Sequence, residues 1–477
     1  MRKTKIVCTV GPATDNDEIL ENMMLAGMNV ARFNFSHGDY ETHEKRFNQV
    51  VRLREKLSLP IATMLDTKGP EVRLGKFADD KPVEIKDGDT YILTTEDIVC
   101  TAEKASVSFK GLPGDVSIGM SILINDGVVE LKVTKISGKE ITCTVVNGGT
   151  LSNNKGVNIP GAKLSMPYLS ERDMSDLEFG AKTGFDFIAA SFVRSAADVN
   201  YLRKFCHSLG WYNPRIIAKI ENMEGVENID EILEAADGIM VARGDMGVEI
   251  PFEQIPAIQK DIIKRGYNAG KQVITATQML ESMITNPRPT RAEITDVANA
   301  IYDGTSAIML SGETAAGKHP VEAVQTMALI ARTTEKDINY ESRLYARAAD
   351  HSTSIANAIS HATVTTAHDL GAKAVITVTK SGTTARMISK FRPGCMIIGC
   401  TTSETVLRQM NLSWGVYPLL IDEKSSTDEL FDHALSMAVK SGMVKDGDIV
   451  VLTAGIPLGV AGTTNMLRVE KASAEEK

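Results

Sequence analysis

Residues 215–242 read RIIAKIENMEGVENIDEILEAADGIMVA, and this stretch holds the repeating unit of the chain. An apolar run from Arg215 to Ile220 is followed by a helical pattern and then by a second apolar run from Gly238 to Ala242. Short apolar runs with a helix between them are typical of neighbouring strands in a parallel sheet. The stretch therefore predicts a β-α-β unit.

The same unit recurs on both sides of this stretch. Eight apolar runs can each be followed by a helix, and eight β-then-α units predict a closed parallel TIM barrel. The predicted strands are Ile6 to Val10, Val30 to Phe35, Ile61 to Leu65, Phe187 to Phe192, Arg215 to Ile220, Gly238 to Ala242, Val273 to Ala276 and Ala307 to Leu310.

One interval is too long for a single crossover, because the third predicted strand ends at Leu65 and the fourth begins at Phe187. A helix from Ser170 to Thr183 can complete the barrel unit there. The residues before it alternate apolar and polar side chains between turns such as Asn125-Asp126-Gly127. This texture predicts a small antiparallel β-barrel inserted after the third strand.

Helices and apolar runs alternate again after about Leu344, which predicts a smaller, open α/β sheet. The polar residues 470–477 are expected to form a frayed tail. The predicted domains are a barrel of residues 1–69 and 168–343, an inserted β domain of residues 70–167 and a C-terminal α/β domain of residues 344–477.

Composition limits the class of protein. The chain has 477 residues, of which 61 are acidic and 52 basic, for a formal net charge of −9. An acidic balance argues against a surface for nucleic acid or for anionic membranes. The six cysteines form no C-x-x-C pair, which is typical of reduced thiols inside cells. We therefore expect a soluble cytoplasmic protein with no signal peptide or membrane span.

Polar side chains follow the predicted strands at their carboxyl ends, where TIM barrels carry their chemistry. Because side chains alternate along a strand, Lys219 and Glu221 share one face and point at the barrel mouth. The polar residues at this rim are Arg32, Asn34, Ser36, His37, Asp66, Thr67, Lys68, Ser191, Lys219, Glu221, Arg243, Asp245, Thr277 and Ser311.

Two acidic residues at this rim are candidates for a metal site. Glu221 and Asp245 end consecutive predicted strands, so their carboxylates can converge. Two hard oxygen ligands, with room for water and substrate oxygens, suit Mg²⁺. The alternative is that both carboxylates cap helices or pair with Lys219 and Arg243.

Cations gather at the rim although the whole chain is acidic. A local positive region on a negative protein suits a phosphorylated, anionic substrate. Scattered salt bridges are the alternative, and they explain one or two of these cations better than six. The cations are Arg32, Lys68, Arg73, Lys155, Lys219 and Arg243.

A second phosphate site is predicted in the third domain. A loop rich in hydroxyl groups follows an apolar run and opens a helix, and its lysine and backbone N–H groups can cradle a phosphate. An ordinary helix cap is the alternative. The loop residues are Thr379, Lys380, Ser381, Gly382, Thr383 and Thr384.

Six stretches resemble signatures of the pyruvate kinase family and occur in that family's order. They are Arg32–Gly38, Leu65–Arg73, Lys219–Asn222, Met240–Asp245, Ala276–Met283 and Met309–Thr314. The resemblance covers essentially the whole chain, and it implies that the inserted β domain is a mobile lid. It implies a glycolytic phosphotransferase that moves the phosphoryl group of phosphoenolpyruvate to ADP, giving pyruvate and ATP.

The resemblance also assigns roles to rim residues. Glu221 and Asp245 are expected to hold the Mg²⁺ that bridges the carboxylate and phosphate of phosphoenolpyruvate. Lys219 and Arg32 are expected to stabilise the phosphoryl group in transit. The other implied roles are substrate binding at Gly244, Asp245 and Thr277, nucleotide binding at Asn34, His37, Arg73 and Lys155, and a water relay to the enolate at Thr277 and Ser311.

The family's monovalent-cation site resembles a third group of residues, which are expected to bind K⁺: Asn34, Ser36, Asp66 and Thr67. Ordinary turn hydrogen bonding is the alternative for Ser36 and Thr67. Family members with Glu at the position of Glu71 tend to need K⁺, so this carboxylate predicts activation by K⁺. A plain ion pair of Glu71 with Arg73 or Lys68 is the alternative.

Loops resembling Thr379–Thr384 bind the phosphate of an allosteric sugar phosphate or nucleotide such as AMP in this family. The stretch from Asp422 to His433 lacks Trp and Arg, so it departs from the animal forms that bind fructose bisphosphate. The effector therefore stays open. The resemblance implies a homotetramer, and we expect no extra C-terminal domain of the kind that some bacterial members carry.

Two other functions fit parts of the pattern. A lyase or aldolase acting on pyruvate or phosphoenolpyruvate also holds an enolate with Mg²⁺ on a barrel rim. It needs neither the inserted domain nor the nucleotide-side residues Arg73 and Lys155. A catalytically inactive sensor would use only the third domain, and the intact Lys219, Glu221 and Asp245 argue against it.

Overall fold

The chain begins with two βα units and a third strand. The computed structural model describes residues 1–346, 354–456 and 464–473. Asn16 caps the first helix by accepting hydrogen bonds from two backbone N–H groups, and Gly27, with φ at +127°, ends it. The elements are β1 (Lys5–Thr9), α1 (Asp17–Ala26), β2 (Val30–Asn34), α2 (Tyr40–Leu57) and β3 (Ala62–Asp66).

The inserted domain follows β3. Its elements are β4 (Val72–Arg73), β5 (Val83–Ile85), β6 (Thr90–Thr94), β7 (Lys104–Ser106), α3 (Leu112–Asp115), β8 (Ser121–Ile124), β9 (Val129–Ser137), β10 (Glu140–Asn147), β11 (Gly149–Leu151) and β12 (Gly156–Asn158). Alternate residues of the longer strands are buried in one apolar core, as the alternating sequence predicts.

The lid strands form two sheets and not one continuous barrel ladder. Seven strands pair in the order β4-β12-β8-β9-β10-β6-β7, and β11 pairs with β5. Two isolated bridges, Leu74 with Val107 and Phe77 with Cys100, join the chain beyond β4 to the region around β7. The predicted β-barrel is thus closed only by these bridges. The prediction of antiparallel pairing fails at one place, because β6 and β7 are parallel.

The barrel resumes after the lid. Its elements are α4 (Glu171–Thr183), β13 (Phe187–Ala190), α5 (Ala196–Ser208), β14 (Arg215–Ile220), α6 (Met223–Glu227), α7 (Ile229–Ala235), β15 (Gly238–Ala242), α8 (Arg243–Glu249), α9 (Ile255–Asn268), β16 (Gln272–Ala276), α10 (Arg291–Asp303), β17 (Ala307–Leu310), α11 (Gly312–Ala315) and α12 (Pro320–Asp337).

Eight parallel strands close into a ring in the order β1-β17-β16-β15-β14-β13-β3-β2. The eight predicted strands and the predicted TIM barrel are confirmed. Side chains such as Met64, Ile217 and Met309 fill the interior, while the alternate strand residues pack against the outer helices. Leu412, from the third domain, belongs to the interior cluster.

The third domain is an open α/β sheet, as predicted. Its strands pair in the order β20-β19-β18-β21-β22, and only β22 is antiparallel. The elements are α13 (Tyr340–Ala346), α14 (Ile355–Asp369), β18 (Ala374–Val378), α15 (Thr383–Lys390), β19 (Met396–Thr401), α16 (Glu404–Met410), β20 (Val416–Leu420), α17 (Thr427–Lys440), β21 (Ile449–Gly455) and β22 (Thr464–Lys471).

The prediction of a frayed tail from residue 470 is wrong at its start. Glu470 and Lys471 pair with Val450 and Ile449 in the β21–β22 ladder, and residues 474–477 lie outside the described part. The predicted domain boundaries stay predictions, and parts of the predicted third domain also lie outside the described residues. Among the helices that the structure describes, none is both long and apolar enough to cross a bilayer.

Candidate active site

A connected polar network lies at the carboxyl ends of β2, β3 and β14. The Asp66 carboxylate receives a hydrogen bond from Arg32 Nε at 2.5 Å and another from Lys219 Nζ at 3.1 Å. Lys219 Nζ also donates to Ser191 Oγ at 2.7 Å. All four side chains are buried. The structure therefore brings Arg32, Asp66 and Lys219 together, as their strand-end positions predict.

Glu221 extends this network by one residue. Its Oε2 accepts the backbone N–H of Phe192 at 2.5 Å, and its Oε1 lies 2.9 Å from Lys219 Nζ. The ion pair is close, yet Oε1 is buried and receives no well-aligned hydrogen bond. A buried carboxylate oxygen in this state is suited to a cation.

Burial and charge shift the pKa values of the network in opposite directions. Burial, with some repulsion from Asp245, raises the pKa of Glu221 to about 8 although Lys219 opposes this. Burial alone would lower the pKa of Lys219, but Asp66, Glu221 and Asp245 together raise it above its usual value. Burial likewise opposes ionisation of Asp66, and the Arg32 and Lys219 charges hold its pKa below its usual value.

Asp245 lies in the first turn of α8 and is exposed. It lines a cavity of about 530 Å³ between the lid and the barrel, which His37, Arg73 and Lys155 also line. Asp245 makes no ion pair with any side chain in the described part of the chain. Three of the four predicted nucleotide-side residues thus face the same cavity as one predicted metal ligand.

The two carboxylates fit a divalent cation that takes its remaining ligands from water and substrate. The described residues contain no group of three or more His, Cys, Asp or Glu side chains arranged to hold a metal ion. Glu221 Oε1, which is buried without a hydrogen-bond partner, and the exposed Asp245 carboxylate are oxygens that could hold Mg²⁺. Such a site keeps most of its coordination shell open, as substrate-bridging Mg²⁺ sites do.

Thr277 and Gly244 meet at the ends of β16 and β15. The Gly244 N–H donates to Thr277 Oγ1 at 2.8 Å, and this hydroxyl donates to the Ala276 carbonyl at 2.6 Å. The residues predicted to line the substrate pocket are therefore in contact. Thr277 has φ at +69°, in the left-handed region that side-chain-bearing residues rarely occupy.

The predicted group of six rim cations is not one free positive surface. Arg243 forms an ion pair with Asp296 at 2.7 Å and donates to the Thr277 carbonyl, so its guanidinium group is engaged in contacts within the protein. Arg73 pairs with Glu71 at 2.6 Å, and Lys68 lies 3.7 Å from the same carboxylate. The salt-bridge alternative thus accounts for part of the group, and the ion pair of Glu71 that was considered as an alternative to K⁺ activation is present.

The two hydroxyls predicted to form a proton relay are not linked by a hydrogen bond. Ser311 Oγ is buried and has no hydrogen-bond partner, while its backbone N–H donates to Glu313 at 2.7 Å. The Thr277 hydroxyl is engaged with Ala276 and Gly244. A relay between Ser311 and Thr277 would need at least one intervening water.

The predicted K⁺ residues lie on adjacent strand ends. Asn34 and Asp66 are register partners in the β2–β3 ladder. The Asn34 side chain accepts the backbone N–H of Ser36 at 3.1 Å, and the Thr67 carbonyl accepts the Ser191 hydroxyl at 2.6 Å. These are the turn contacts that the alternative reading expects. Oxygen atoms suited to K⁺ are present, and both oxygens of Asp66 already face cations.

The predicted effector loop lies at the opposite end of the barrel, beside the start of β14. Gly382, with φ at +77°, precedes α15, and no side chain caps that helix. Lys380 is exposed. The Ser381 and Thr383 hydroxyls are 2.9 Å apart, and Thr384 Oγ1 lies 2.8 Å from Thr464 Oγ1. The ordinary side-chain cap considered above is absent from this helix.

The contacts of three residues around the site were not predicted from the sequence. Ser191 joins Lys219 to the Thr67 carbonyl, and its only signal was its position at the carboxyl end of a predicted strand. Glu313 holds the N–H groups of Ser311 and of Leu280. Asn158 in the lid donates to Glu249 on α8 at 2.7 Å, a contact between domains that no local pattern reveals.

Comparison with known proteins identifies the family. The family model described as pyruvate kinase, barrel domain, matches residues 1–324, and the one described as pyruvate kinase, alpha/beta domain, matches residues 357–470. The pyruvate kinase of Clostridium acetobutylicum is 50% identical over 471 residues, which cover 98% of this chain and 99% of that protein. The pyruvate kinase of Geobacillus stearothermophilus is 50% identical over 474 residues, which cover 99% of this chain and 81% of that protein.

A solved structure of a pyruvate kinase has the same fold as this chain. The crystal structure of a pyruvate kinase from Cryptosporidium parvum superposes with a TM-score of 0.94 at 40% identity, and the match covers 99% of this chain and 96% of that one. The match to a phosphotransferase over the full chain, lid included, excludes the lyase and sensor alternatives as the family assignment. The chain belongs to the pyruvate kinase family, whose members transfer the phosphoryl group of phosphoenolpyruvate to ADP.

Proposed function

We propose that phosphoryl transfer takes place at the mouth of the barrel, in the space below the lid, and that Lys219 stabilises the phosphoryl group in transit. The observation that carries this proposal is the buried Lys219 ammonium, which lies between Asp66 and Glu221 at the end of β14. A cation fixed in a site of low dielectric needs little reorganisation when negative charge develops on the transferred group.

The other residues take roles that follow from their positions. Glu221 and Asp245 hold Mg²⁺, which when bound neutralises charge on phosphoenolpyruvate and on the enolate that remains. Arg32 binds the same phosphate from the far side of Asp66. Gly244 and Thr277 orient the substrate, while His37, Arg73 and Lys155 face the cavity from the nucleotide side, with Asn34 nearby on β2.

The proposal also covers the monovalent cation, the proton donor, the effector loop, the oligomeric state and the location in the cell. K⁺ binds at the oxygens of Asn34, Ser36, Asp66 and Thr67, and water near Thr277 or Ser311 protonates the enolate. The loop Thr379–Thr384 binds the phosphate of a sugar-phosphate or AMP effector, supported by the uncapped start of α15 and the exposed Lys380. A homotetramer in the cytoplasm is the proposed state, and exposed apolar side chains on outer helices, such as Leu329, are consistent with it.

The Mg²⁺ assignment can be tested by conservative substitution. We expect Glu221→Gln and Asp245→Asn each to raise the Mg²⁺ concentration for half-maximal activity on the order of tenfold or more, because each removes a charged ligand. The measurement is a Mg²⁺ titration of pyruvate formation, run with and without ADP. Turnover that does not require ADP would support a lyase instead.

Glu224→Gln is the matched control, because Glu224 is an acidic residue in the first turn of α6 that lines the same cavity but is not one of the proposed ligands. Its Mg²⁺ titration is expected to match that of the wild type. A variant of Glu221 or Asp245 with an unchanged titration would remove that residue from the metal site. Repeating the wild-type assay with tetraalkylammonium in place of K⁺ tests the monovalent site, where full activity would contradict it.

A further inference from the structure

The amino ends of β14 and β15 carry an ion pair directly below the catalytic residues. Arg215 is the first residue of β14, the strand that carries Lys219. Asp237 immediately precedes β15, after which the chain reaches Gly244 and Asp245. Arg215 Nη1 lies 2.8 Å from Asp237 Oδ1. This pair therefore joins the starts of the two strands whose other ends carry the proposed metal ligands.

The pair also fixes how the two strands sit against each other. The backbone N–H of Ile216 donates to Asp237 Oδ2 at 3.0 Å, so the carboxylate contacts both the side chain and the main chain at the start of β14. From there the two strands run in parallel register, from Ile217 opposite Gly238 to Ile220 opposite Val241. This ladder is the physical connection between the ion pair and the other ends of the two strands, where Lys219 and Asp245 lie.

The same arginine contacts the proposed effector loop. Arg215 Nη2 donates to the Ser381 carbonyl at 2.9 Å. Arg386 of α15 donates to that carbonyl at 3.3 Å and to Thr383 Oγ1 at 3.0 Å. Two guanidinium groups, one from the barrel and one from the third domain, therefore meet at one backbone oxygen in the middle of the loop.

We propose that Arg215 is a positioning residue that couples the loop Thr379–Thr384 to the metal-binding ends of β14 and β15. This rests on the proposed function, in which that loop binds a phosphate and Glu221 and Asp245 bind Mg²⁺. Movement of the Ser381 carbonyl changes the hold of Arg215 on Asp237, and thereby the relative position of the two strands. By thermodynamic reciprocity, a ligand in the active site then changes the affinity of the loop for phosphate by the same factor as phosphate in the loop changes the affinity of the active site for that ligand.

Asp237 offers a matched control. Arg203 of α5 pairs with the other carboxylate oxygen of Asp237 at 3.0 Å, but its remaining contact is the Ala235 carbonyl and not the loop. Arg203→Met and Arg215→Met each remove one cation from Asp237. Only Arg215→Met also removes the donor to Ser381. Arg215→Met also removes the hydrogen bond of 3.4 Å from Arg215 Nε to Gln409 Oε1 on α16, so a difference between these variants reports the contacts of Arg215 with the third domain and not the charge on Asp237.

The test measures hydrogen exchange in the loop when the active site is filled. The full-length protein is exchanged with and without saturating phosphoenolpyruvate and Mg²⁺, in the absence of ADP, and peptides spanning 379–384 are compared. We expect the exchange rate to change about fivefold or more in the wild type and in Arg203→Met, and to stay unchanged in Arg215→Met. A wild-type loop that does not respond, or an Arg215→Met loop that responds like the wild type, would overturn the proposal.

A second measurement uses inorganic phosphate as the probe of the loop. Phosphate is expected to shift the phosphoenolpyruvate concentration for half-maximal activity in the wild type and in Arg203→Met, but not in Arg215→Met, each variant being compared with its own activity in the absence of phosphate. Arg215→Lys keeps a charge beside Asp237 without the second donor, so it must also lose the shift. Equal shifts in all variants would overturn the coupling. A wild type that does not phosphorylate ADP at all would instead contradict the proposed function.

Discussion

At the scale of single residues, two residues at the rim of the barrel adopt the left-handed backbone conformation, which is unfavourable for residues other than glycine. Phe192 has φ at +53° and Thr277 at +69°. A left-handed conformation costs roughly 1–2 kcal/mol for a residue with a Cβ atom. Both residues use it to aim a group at the site: the Phe192 N–H at Glu221, and the Thr277 hydroxyl at the Gly244 N–H. The backbone strain thus lies at two positions whose hydrogen bonds orient residues of the proposed active site.

Lys5 is a buried cation at the amino end of the barrel, and it gives a pH prediction. Its Nζ donates to the Val416 carbonyl at 2.5 Å. Burial, and to a lesser extent repulsion from Arg2, lower the pKa of Lys5 to about 7 from 10.5, while Glu335 opposes the shift. Between these two values the unfolded chain binds more protons than the folded protein, so this residue makes stability rise with pH.

The effect can be isolated with Lys5→Met. Below pH 7 both states of the wild type are protonated and the full penalty of the buried lysine is present, on the order of a few kcal/mol. We expect the melting temperature of the variant, relative to the wild type, to fall by several degrees as pH rises from about 7 to 9.5. Exposed Lys45→Met is the control. A difference between Lys5→Met and the wild type that does not vary with pH would contradict the prediction.

At the scale of elements, helix α4 anchors both chain crossings between the barrel and the lid. Asp173, in its first turn, accepts the Gly69 N–H at 2.9 Å, and also the N–H and hydroxyl of Ser170 at 3.0 and 2.6 Å. Gly69 lies just before the lid and Ser170 just after it. One buried carboxylate therefore ties the start and the end of the lid to the same helix turn.

Asp173→Ala tests this anchor. The substitution leaves a buried donor at Gly69 without an acceptor, a loss of about 1–3 kcal/mol, so amide exchange at Gly69 is expected to accelerate about tenfold or more. Hydrogen exchange of peptides covering residues 66–74 measures it. Glu171→Ala changes an exposed acid of the same helix turn and is expected to leave Gly69 unaffected. Equal exchange rates in Asp173→Ala and the wild type would show that the lid is held elsewhere.

The sequence predicts some elements better than others for physical reasons. A barrel strand is buried on both faces, so it reads as an unbroken apolar run, and all eight were predicted within a few residues. Strand β22 is an edge strand with charged side chains such as Arg468 and Glu470, and it was not predicted; its last two residues, Glu470 and Lys471, were assigned to the polar tail. Neither the apolar run of a barrel strand nor the charged pattern of an edge strand shows which other strand it pairs with.

The same reasoning explains the site. Asp66, Lys219 and Glu221 were predicted to lie at one rim because strand ends in a parallel barrel lie at one level, and in the structure Lys219 contacts both carboxylates. Arg243 was expected to be a free cation, but its partner Asp296 is 53 residues away on the face of another element. Contacts made by helix packing or by the lid depend on tertiary structure, and local sequence patterns do not encode them.

At the scale of the whole molecule, the barrel lies between the inserted domain and the third domain. The lid covers the carboxyl ends of the strands and the third domain packs against their amino ends. Leu412 enters the barrel interior, Arg408 pairs with Asp186 at 2.9 Å, and Arg392 donates to the Gly304 carbonyl at 2.8 Å. These contacts connect the third domain to the amino ends of barrel strands, and the opposite ends of the barrel strands carry the proposed catalytic groups.

The most direct test of the account is the rate of ATP formation from phosphoenolpyruvate and ADP in Lys219→Met. Methionine fills a similar volume and cannot supply the charge, so we expect the rate to fall on the order of 10³-fold or more, by analogy with the loss of other cations at phosphoryl-transfer sites. Mg²⁺ binding, measured on the same variant, is expected to be no weaker, because Lys219 is not a metal ligand. A variant that retains a rate within about tenfold of the wild type would contradict the central role of Lys219.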